Sequence, residues 1–197
     1  KSITSVRKLE TESYIDIDAS PYELGDVLVA LVQSQNSQEF QLHYDNGSNV
    51  HATFGAYYMK EKVPSYQEAY ADDLFQMMGA GIPFLRTIED DLTTTSKAAF
   101  AHVNWEFAPS WTLAAGVRWT EDSKRYDRST STFWGAPFTA LNETVAFAAQ
   151  ADWTATTPSI SLQKAFSDNL MGYVSANRGF KSGGFNSRAN TVADTRN

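Results

Sequence analysis

The sequence predicts an all-β chain of antiparallel, up-and-down strands that form part of a transmembrane β-barrel. Three observations predict it. From Ala99 to Thr120 the odd positions run Ala99, Ala101, Val103, Trp105, Phe107, then Trp111, Leu113, Ala115, Val117, Trp119. The even positions (His102, Asn104, Glu106, Thr112, Gly116, Arg118 among them) are mostly polar. Such alternation is the mark of strands with one apolar and one polar side. Second, the turns at one end of the hairpins read as about three residues each, whereas the other connections run to about 20–35, the asymmetry of outer-membrane barrels. Third, no apolar run reaches about 18 residues, so a transmembrane helix is excluded, while half-polar strands of about 9–11 residues stay possible.

Composition agrees with a folded chain. Of 197 residues, 20% are charged and 13% aromatic, and the formal charge is −7. An acidic chain lacks the basic face that a nucleic-acid partner needs. With no cysteine there is neither a disulfide framework nor a thiolate metal site. The chain opens at Lys1 already in a strand-like pattern and closes in polar Asn190–Asn197, so it reads as an internal piece of something longer.

Lys1–Asp18 is an extended segment carrying Ile3, Val6, Tyr14, Ile15 and Ile17. Residues 19–37 read as a long connection in which Val27–Val32 is a self-packing loop or a short buried strand. A hairpin follows at about 38–60. A turn at Asp45-Asn46-Gly47, with Gly47 left-handed, pairs Tyr44 with Ser48, Leu42 with Val50 and Phe40 with Ala52. Residues 63–97 read as a second long connection containing Tyr66, Tyr70, Asp72-Asp73 and Asp90-Asp91.

The hairpin at about 98–120 turns at Ala108-Pro109-Ser110, so that Phe107 faces Trp111, Trp105 faces Leu113 and Ala99 faces Trp119. A third connection, 121–152, is charged and then rich in Thr, Ser and aromatics, including Phe133-Trp134. The last hairpin, about 153–178, turns at Ser167-Asp168-Asn169 and pairs Phe166 with Leu170, Leu162 with Val174 and Ile160 with Ala176. Residues 179–197 form a final long loop. The large aromatics bracket the apolar side. Trp105, Phe107, Trp111 and Phe166 are expected to form the membrane-interface girdle at the short-turn end, and Trp119 the outer one. Trp111 to Trp119 spans about 26 Å of strand, or about 20 Å of bilayer at a tilt of about 40°.

Signals for chemistry are sparse. His43, His51 and His102 all lie on polar sides. The first two are diagonal neighbours, but no third metal ligand stands at motif spacing. No phosphate loop, serine elbow, zinc motif or calcium loop appears. The paired carboxylates read as solvated loop charges. Neither catalytic residue, metal nor cofactor is expected. Arg118, Arg178 and Lys181 lie near the long-loop ends of their strands; on a lumen-facing side they attract an anionic solute or are neutralised by acids. Tyr66, Tyr70 and Phe133-Trp134 either grip a ligand or pack within their loops.

At Tyr173–Asn186, YVSANRGFKSGGFN, the chain resembles TonB-dependent outer-membrane receptors, in which a strand ends in an S-x-x-x-G-F-K-x-G-G-F-N segment. TPSISLQKAFSDNLMGYVSANRGF and FAHVNWEFAPSWTLAAGVRWTEDSKRYD resemble the family's strand–tight turn–strand repeats. The resemblance implies a barrel of about 22 strands, of which this chain supplies about seven, closed by a plug not included here. It further implies an outer-membrane location in a Gram-negative bacterium and contact with outer-membrane lipid and lipopolysaccharide. It implies uptake of a ferric siderophore or another scarce nutrient, with energy from the TonB-ExbB-ExbD complex acting through the missing plug region. A soluble β-sandwich or lectin-like module, and a passive porin-type barrel, are the alternatives.

Overall fold

The computed structural model describes residues 1–22, 24–79, 84–135 and 141–187. They form one seven-stranded antiparallel sheet in sequence order, β1 to β7. The strands are β1 (Ser2–Asp16), β2 (Asp26–Asp45), β3 (Val50–Tyr70), β4 (Phe84–Ala108), β5 (Trp111–Trp134), β6 (Leu141–Ser167) and β7 (Leu170–Asn177). A short helix, α1 (Asp72–Met77), lies between β3 and β4. The sheet is open, and neighbouring strands are joined by hairpin connections throughout.

Directly paired residues share a side of the sheet, so the register sorts the side chains into two sets. One face carries Trp105, Val117, Trp119 and Ile160, which are exposed. The other carries Ala98, Thr120, Tyr126, Arg128, Thr130 and Thr132, which are buried. This inverts the arrangement of a water-soluble sheet, whose apolar side is covered. We call the two sides the Trp119 face and the Arg118 face.

On the Trp119 face the apolar side chains fall in consecutive cross-strand rows. One row is Phe40–Ala56–Ala99–Trp119, and the next toward the short turns is Leu42–Phe54–Ala101–Val117–Pro158. Two further rows are Tyr44–Ala52–Val103–Ala115–Ile160–Ala176 and, from β3 onward, Val50–Trp105–Leu113–Leu162–Val174. On the opposite side of the first row the pattern changes to Gln38–Tyr58–Lys97–Glu121–Thr154.

The strands run well beyond the apolar rows, which corrects the expected long connections. Most of residues 26–37, 63–70, 84–97, 121–134 and 141–152 is strand. Val27–Val32 is the start of β2, paired with β1 on one side and β3 on the other. The reason is physical: beyond the apolar rows both faces are polar, so period-two hydropathy contrast disappears while the backbone ladder continues. The connections at that end are 17–25, 71–83 and 135–140. In the first, the Asp18 carboxylate accepts N–H bonds from Ser20 (2.9 Å) and Gly25 (3.0 Å). The Ser20 side-chain hydrogen bond first, and then these backbone N–H groups, hold its pKa below the ordinary value. In the second, Phe75 of α1 packs on Phe84 (4.9 Å) and Trp134 (4.8 Å), so Trp134, at the end of β5, packs against the neighbouring β3–β4 connection and not within its own.

The three turns at the other end are tight, with adjusted closures. The β4–β5 hairpin keeps Trp105 opposite Leu113 and Ala99 opposite Trp119, but Ala108 pairs with Trp111 and Phe107 is the extra residue of a bulge. Ser110, at φ 65°, occupies the left-handed region. The β6–β7 hairpin likewise keeps Leu162 opposite Val174, while Ser167 pairs with Leu170 and Phe166 is extra. The β2–β3 turn differs more. Asn46 Oδ1 accepts the N–H groups of Ser48, Asn49 and Val50, each at 3.0 Å. This one side chain organises a longer loop than expected, with Gly47 at φ 72°. Tyr44 therefore pairs with Ala52, Leu42 with Phe54 and Phe40 with Ala56, an even shift that leaves every side chain on its expected face.

Candidate functional site

On the Arg118 face, β3, β4, β5 and β6 place Gly55, Phe100, Arg118 and Thr157 in one cross-strand row. Gly55 has no side chain, and the Phe100 ring occupies the room: a Cβ on Gly55 would lie 2.1 Å from Phe100 Cζ. The Arg118 guanidinium in turn sits over Phe100 (5.5 Å to the ring centroid) and Tyr57 (5.7 Å). Its Nε donates to Thr120 Oγ1 at 3.2 Å. Among the described residues no carboxylate lies within ion-pair distance of Arg118, so aromatic faces rather than acids hold this cation.

One row nearer the short turns, Thr53, His102, Gly116 and Ser159 are paired in order. A Cβ on Gly116 would meet Ser159 Oγ at 2.8 Å and the His102 ring at 3.1 Å. The two rows enclose a cleft of about 280 Å³ that Phe100, His102, Arg118 and Arg178 all line. Arg178 is brought there as its N–H donates to Pro158 O at 3.0 Å. Two of the cations singled out in the sequence thus meet in one cleft; Lys181 is exposed on the segment that follows β7.

That segment returns across the Arg118 face. Phe185 stacks on Tyr126 (5.6 Å, 12° between planes) and meets Trp153 edge-on (6.2 Å). Lys124 Nζ donates to Gly183 O at 2.7 Å. A Cβ on Gly183 would lie 2.6 Å from the Trp153 ring. At this glycine the need is close approach to an indole. Arg128 donates through Nη1 to Tyr126 Oη (3.0 Å) and to Ser187 O. Tyr126 Oη donates to Asp90 Oδ1 at 2.7 Å, and Arg128 stands 3.7 Å from that oxygen. Asp90 is therefore a buried, paired group on β4 and not the solvated loop charge expected. Beyond the apolar rows as it is, burial raises its pKa, opposed by the Tyr126 hydrogen bond and by Arg128. Sequence patterning misses this cluster because its members come from two strands, β4 and β5, and the tail.

Tyr66 and Tyr70 do not join the cleft. They stand on β3 on the Trp119 face, both donating to the Glu68 carboxylate, Tyr66 at 2.6 Å. The histidines are also dispersed: His43 bonds Thr53 Oγ1 (3.1 Å) and His51 contacts Asp45 (3.2 Å). The aromatics of the short-turn end do come together. Trp105 lies 5.7 Å from Phe107, and Phe107 lies 6.2 Å from Trp111. Lys164 Nζ lies 4.7 Å from the Trp111 ring and 5.3 Å from Phe166.

A barrel wall with such a polar, built interior matches a known family. Residues 7–197 match the model described as "TonB dependent receptor-like, beta-barrel". The chain belongs to the TonB-dependent receptor β-barrel family. Among solved structures, it is similar to the ferric yersiniabactin uptake receptor FyuA from Yersinia pestis. The identity is 15% and the TM-score 0.72, and the match covers 100% of this chain and 27% of FyuA. At that identity the likeness is one of fold, and the chain spans about a quarter of the FyuA chain's length. No curated protein matches the sequence. For a TonB-dependent receptor barrel, an outer-membrane protein of Gram-negative bacteria, a transport role rather than an enzymatic one is the family expectation.

Proposed function

We propose that this stretch is the wall of an active transport receptor that takes up a ferric siderophore or another scarce, anionic nutrient, with energy supplied by the TonB-ExbB-ExbD complex through the plug region. The observation that carries this reading is Arg118. Among the described residues it is a guanidinium without a paired carboxylate, in a cleft shared with Arg178, on the polar, buried side of a sheet whose other side exposes its apolar residues. A cation without a nearby acid draws anionic solutes into a lumen. Lys181, on the returning segment, adds a third positive charge at the same face. The Trp119 face meets lipid, with Trp105, Phe107, Trp111 and Phe166 as the interfacial girdle at the short-turn end and Trp119 at the other. Tyr66 and Tyr70 stand on that face, apart from the cleft.

The test is uptake by cells carrying the whole receptor under iron limitation, offered a panel of labelled ferric siderophores. Arg118→Gln combined with Arg178→Gln is expected to lower uptake of the preferred, anionic ligand by about tenfold, and removal of TonB to abolish it. Uptake that survives the loss of TonB, or no accumulation of any anionic ligand, overturns the reading.

A further inference from the structure

The β2–β3 turn holds chemistry that neither the sheet nor the transport role uses. Asn46-Gly47 is the single Asn-Gly step in the sequence, and both residues are exposed. Asn46 Oδ1 accepts the N–H groups of Ser48, Asn49 and Val50, each at 3.0 Å. Three donors converge on this atom, which assigns it as the amide oxygen and its neighbour as the nitrogen. That nitrogen, Nδ2, donates to Asn49 Oδ1 at 3.1 Å. On the other side of the step, the Gly47 N–H donates to Asp45 Oδ1 at 2.7 Å. The second Asp45 oxygen lies 3.2 Å from His51 Nδ1, which steadies the carboxylate.

A nitrogen held by a carboxylate, beside a carbonyl whose oxygen meets three N–H donors, is the equipment of acyl transfer. We infer that Asn46 is a self-modification site, converted through a cyclic imide to aspartate and isoaspartate. Gly47 N attacks Asn46 Cγ and forms the new C–N bond, while Asp45 Oδ1 takes the Gly47 N–H proton. Negative charge develops on Asn46 Oδ1, where the three N–H bonds strengthen as it grows. The Cγ–Nδ2 bond then breaks, and Nδ2 takes up that proton and leaves as ammonia. Water opens the imide at either carbonyl. One product is aspartate; in the other, isoaspartate, the main chain runs through the side chain. Gly47 suits the attack because no Cβ shields its nitrogen. Aspartate keeps the three acceptor bonds, whereas isoaspartate lengthens the turn by a methylene. Asn49 Nδ2 donates to Glu106 O at 3.1 Å, and Glu106 N donates to Asn49 O at 2.8 Å. The lengthened turn therefore loosens the end of β4 as well.

The test uses the whole receptor, incubated folded and in denaturant at one pH in heavy-oxygen water, with residue 46 followed by peptide mapping. Incorporation of heavy oxygen with loss of ammonia marks each event, and chromatography separates isoaspartate from aspartate. The folded protein is expected to convert Asn46 about tenfold faster than the denatured one, a modest factor because the turn is open to water. Asp45→Asn keeps an oxygen acceptor for the Gly47 N–H but supplies no base, and is expected to lose that advantage. Amide exchange at Glu106 separates a lost base from a lost turn: it should match the native rate in fresh Asp45→Asn protein. In the native protein it should quicken as isoaspartate accumulates. A folded rate equal to or below the denatured rate overturns the proposal whatever the variant does. An unchanged folded rate in Asp45→Asn overturns it too.

Discussion

Phe100 lies across Gly55 so closely that a Cβ on that glycine would fall 2.1 Å from Phe100 Cζ. The ring uses the bare backbone of β3 as its floor and then serves as the floor for Arg118, 5.5 Å away. An aromatic covering a cross-strand glycine restores the side-chain packing that the glycine lacks. Gly55→Val is therefore expected to destabilise the receptor by about 1–3 kcal/mol and to displace Arg118. Gly55→Val/Phe100→Ala should recover part of the stability but not the cation's placement. Denaturant titration of the two single variants and the double variant checks this.

A second prediction concerns the returning segment. Arg128 is 7% exposed, and its Nε has no hydrogen-bond partner among the described residues. It is retained by Asp90, Tyr126 and Ser187 O. Arg128→Met leaves a buried carboxylate without its cation, at a cost of about 3–5 kcal/mol. Phe185→Ala removes one stacked ring while leaving the charges intact and should cost about 3–5 kcal/mol at most. Both variants should release the segment from the Arg118 face. The measurement is limited proteolysis at Lys181, with faster cleavage expected for both and the larger increase for Arg128→Met.

The two cases show what was legible in the sequence. Alternation fixed the faces of β4 and β5 because Trp105, Leu113 and Trp119 lie where one side is apolar and the other polar. It falls silent at Thr93–Lys97 and Glu121–Thr132, where neither side is apolar and the sequence therefore predicts connections in place of strands. Turn chemistry was legible at Gly47, whose φ of 72° follows from its residue type. It was illegible in loop length, because one Asn46 carboxamide oxygen gathers three N–H groups. The cleft was half legible: Arg118 and Arg178 stand out as cations, but their meeting depends on a register that brings β5 beside β6. The Asp90–Tyr126–Arg128 cluster has no local signal, since Asp90 lies on β4, 36 residues from its Tyr126 partner on β5.

A third prediction follows from Glu68. Its carboxylate accepts hydrogen bonds from the Tyr66 and Tyr70 hydroxyls. For Tyr66 burial is the leading cause, and for Tyr70 the Glu68 hydrogen bond; each phenol is raised from 10.0 to about 12. Below pH 10 both folded and unfolded chains keep these protons. Between pH 10 and about 12 the unfolded chain loses them first, so stability falls across that window. Phenolate absorbance against pH should show Tyr66 and Tyr70 titrating late, and Glu68→Gln should move Tyr70 back toward the ordinary range more than Tyr66.

The last prediction asks what the Trp119 face meets. Val117 stands within the apolar rows, between Ala101 and Pro158, while Ser123 stands on the same face three rows further along β5. If acyl chains cover the first position and water or head groups the second, an arginine separates them. At Val117 it must be desolvated, costing about 2–4 kcal/mol near the bilayer midplane, whereas near or beyond the interface the cost falls to about 0–1 kcal/mol. In a soluble sheet exposing both positions to water, the two substitutions would differ little, because Val117 is 45% exposed before any lipid is considered. Reversible unfolding of the receptor in lipid vesicles is the measurement. Val117→Arg is expected to be the costlier substitution by about 2 kcal/mol or more, and in detergent of short chain length the gap should shrink. Equal costs in vesicles would mean that the apolar rows do not face hydrocarbon.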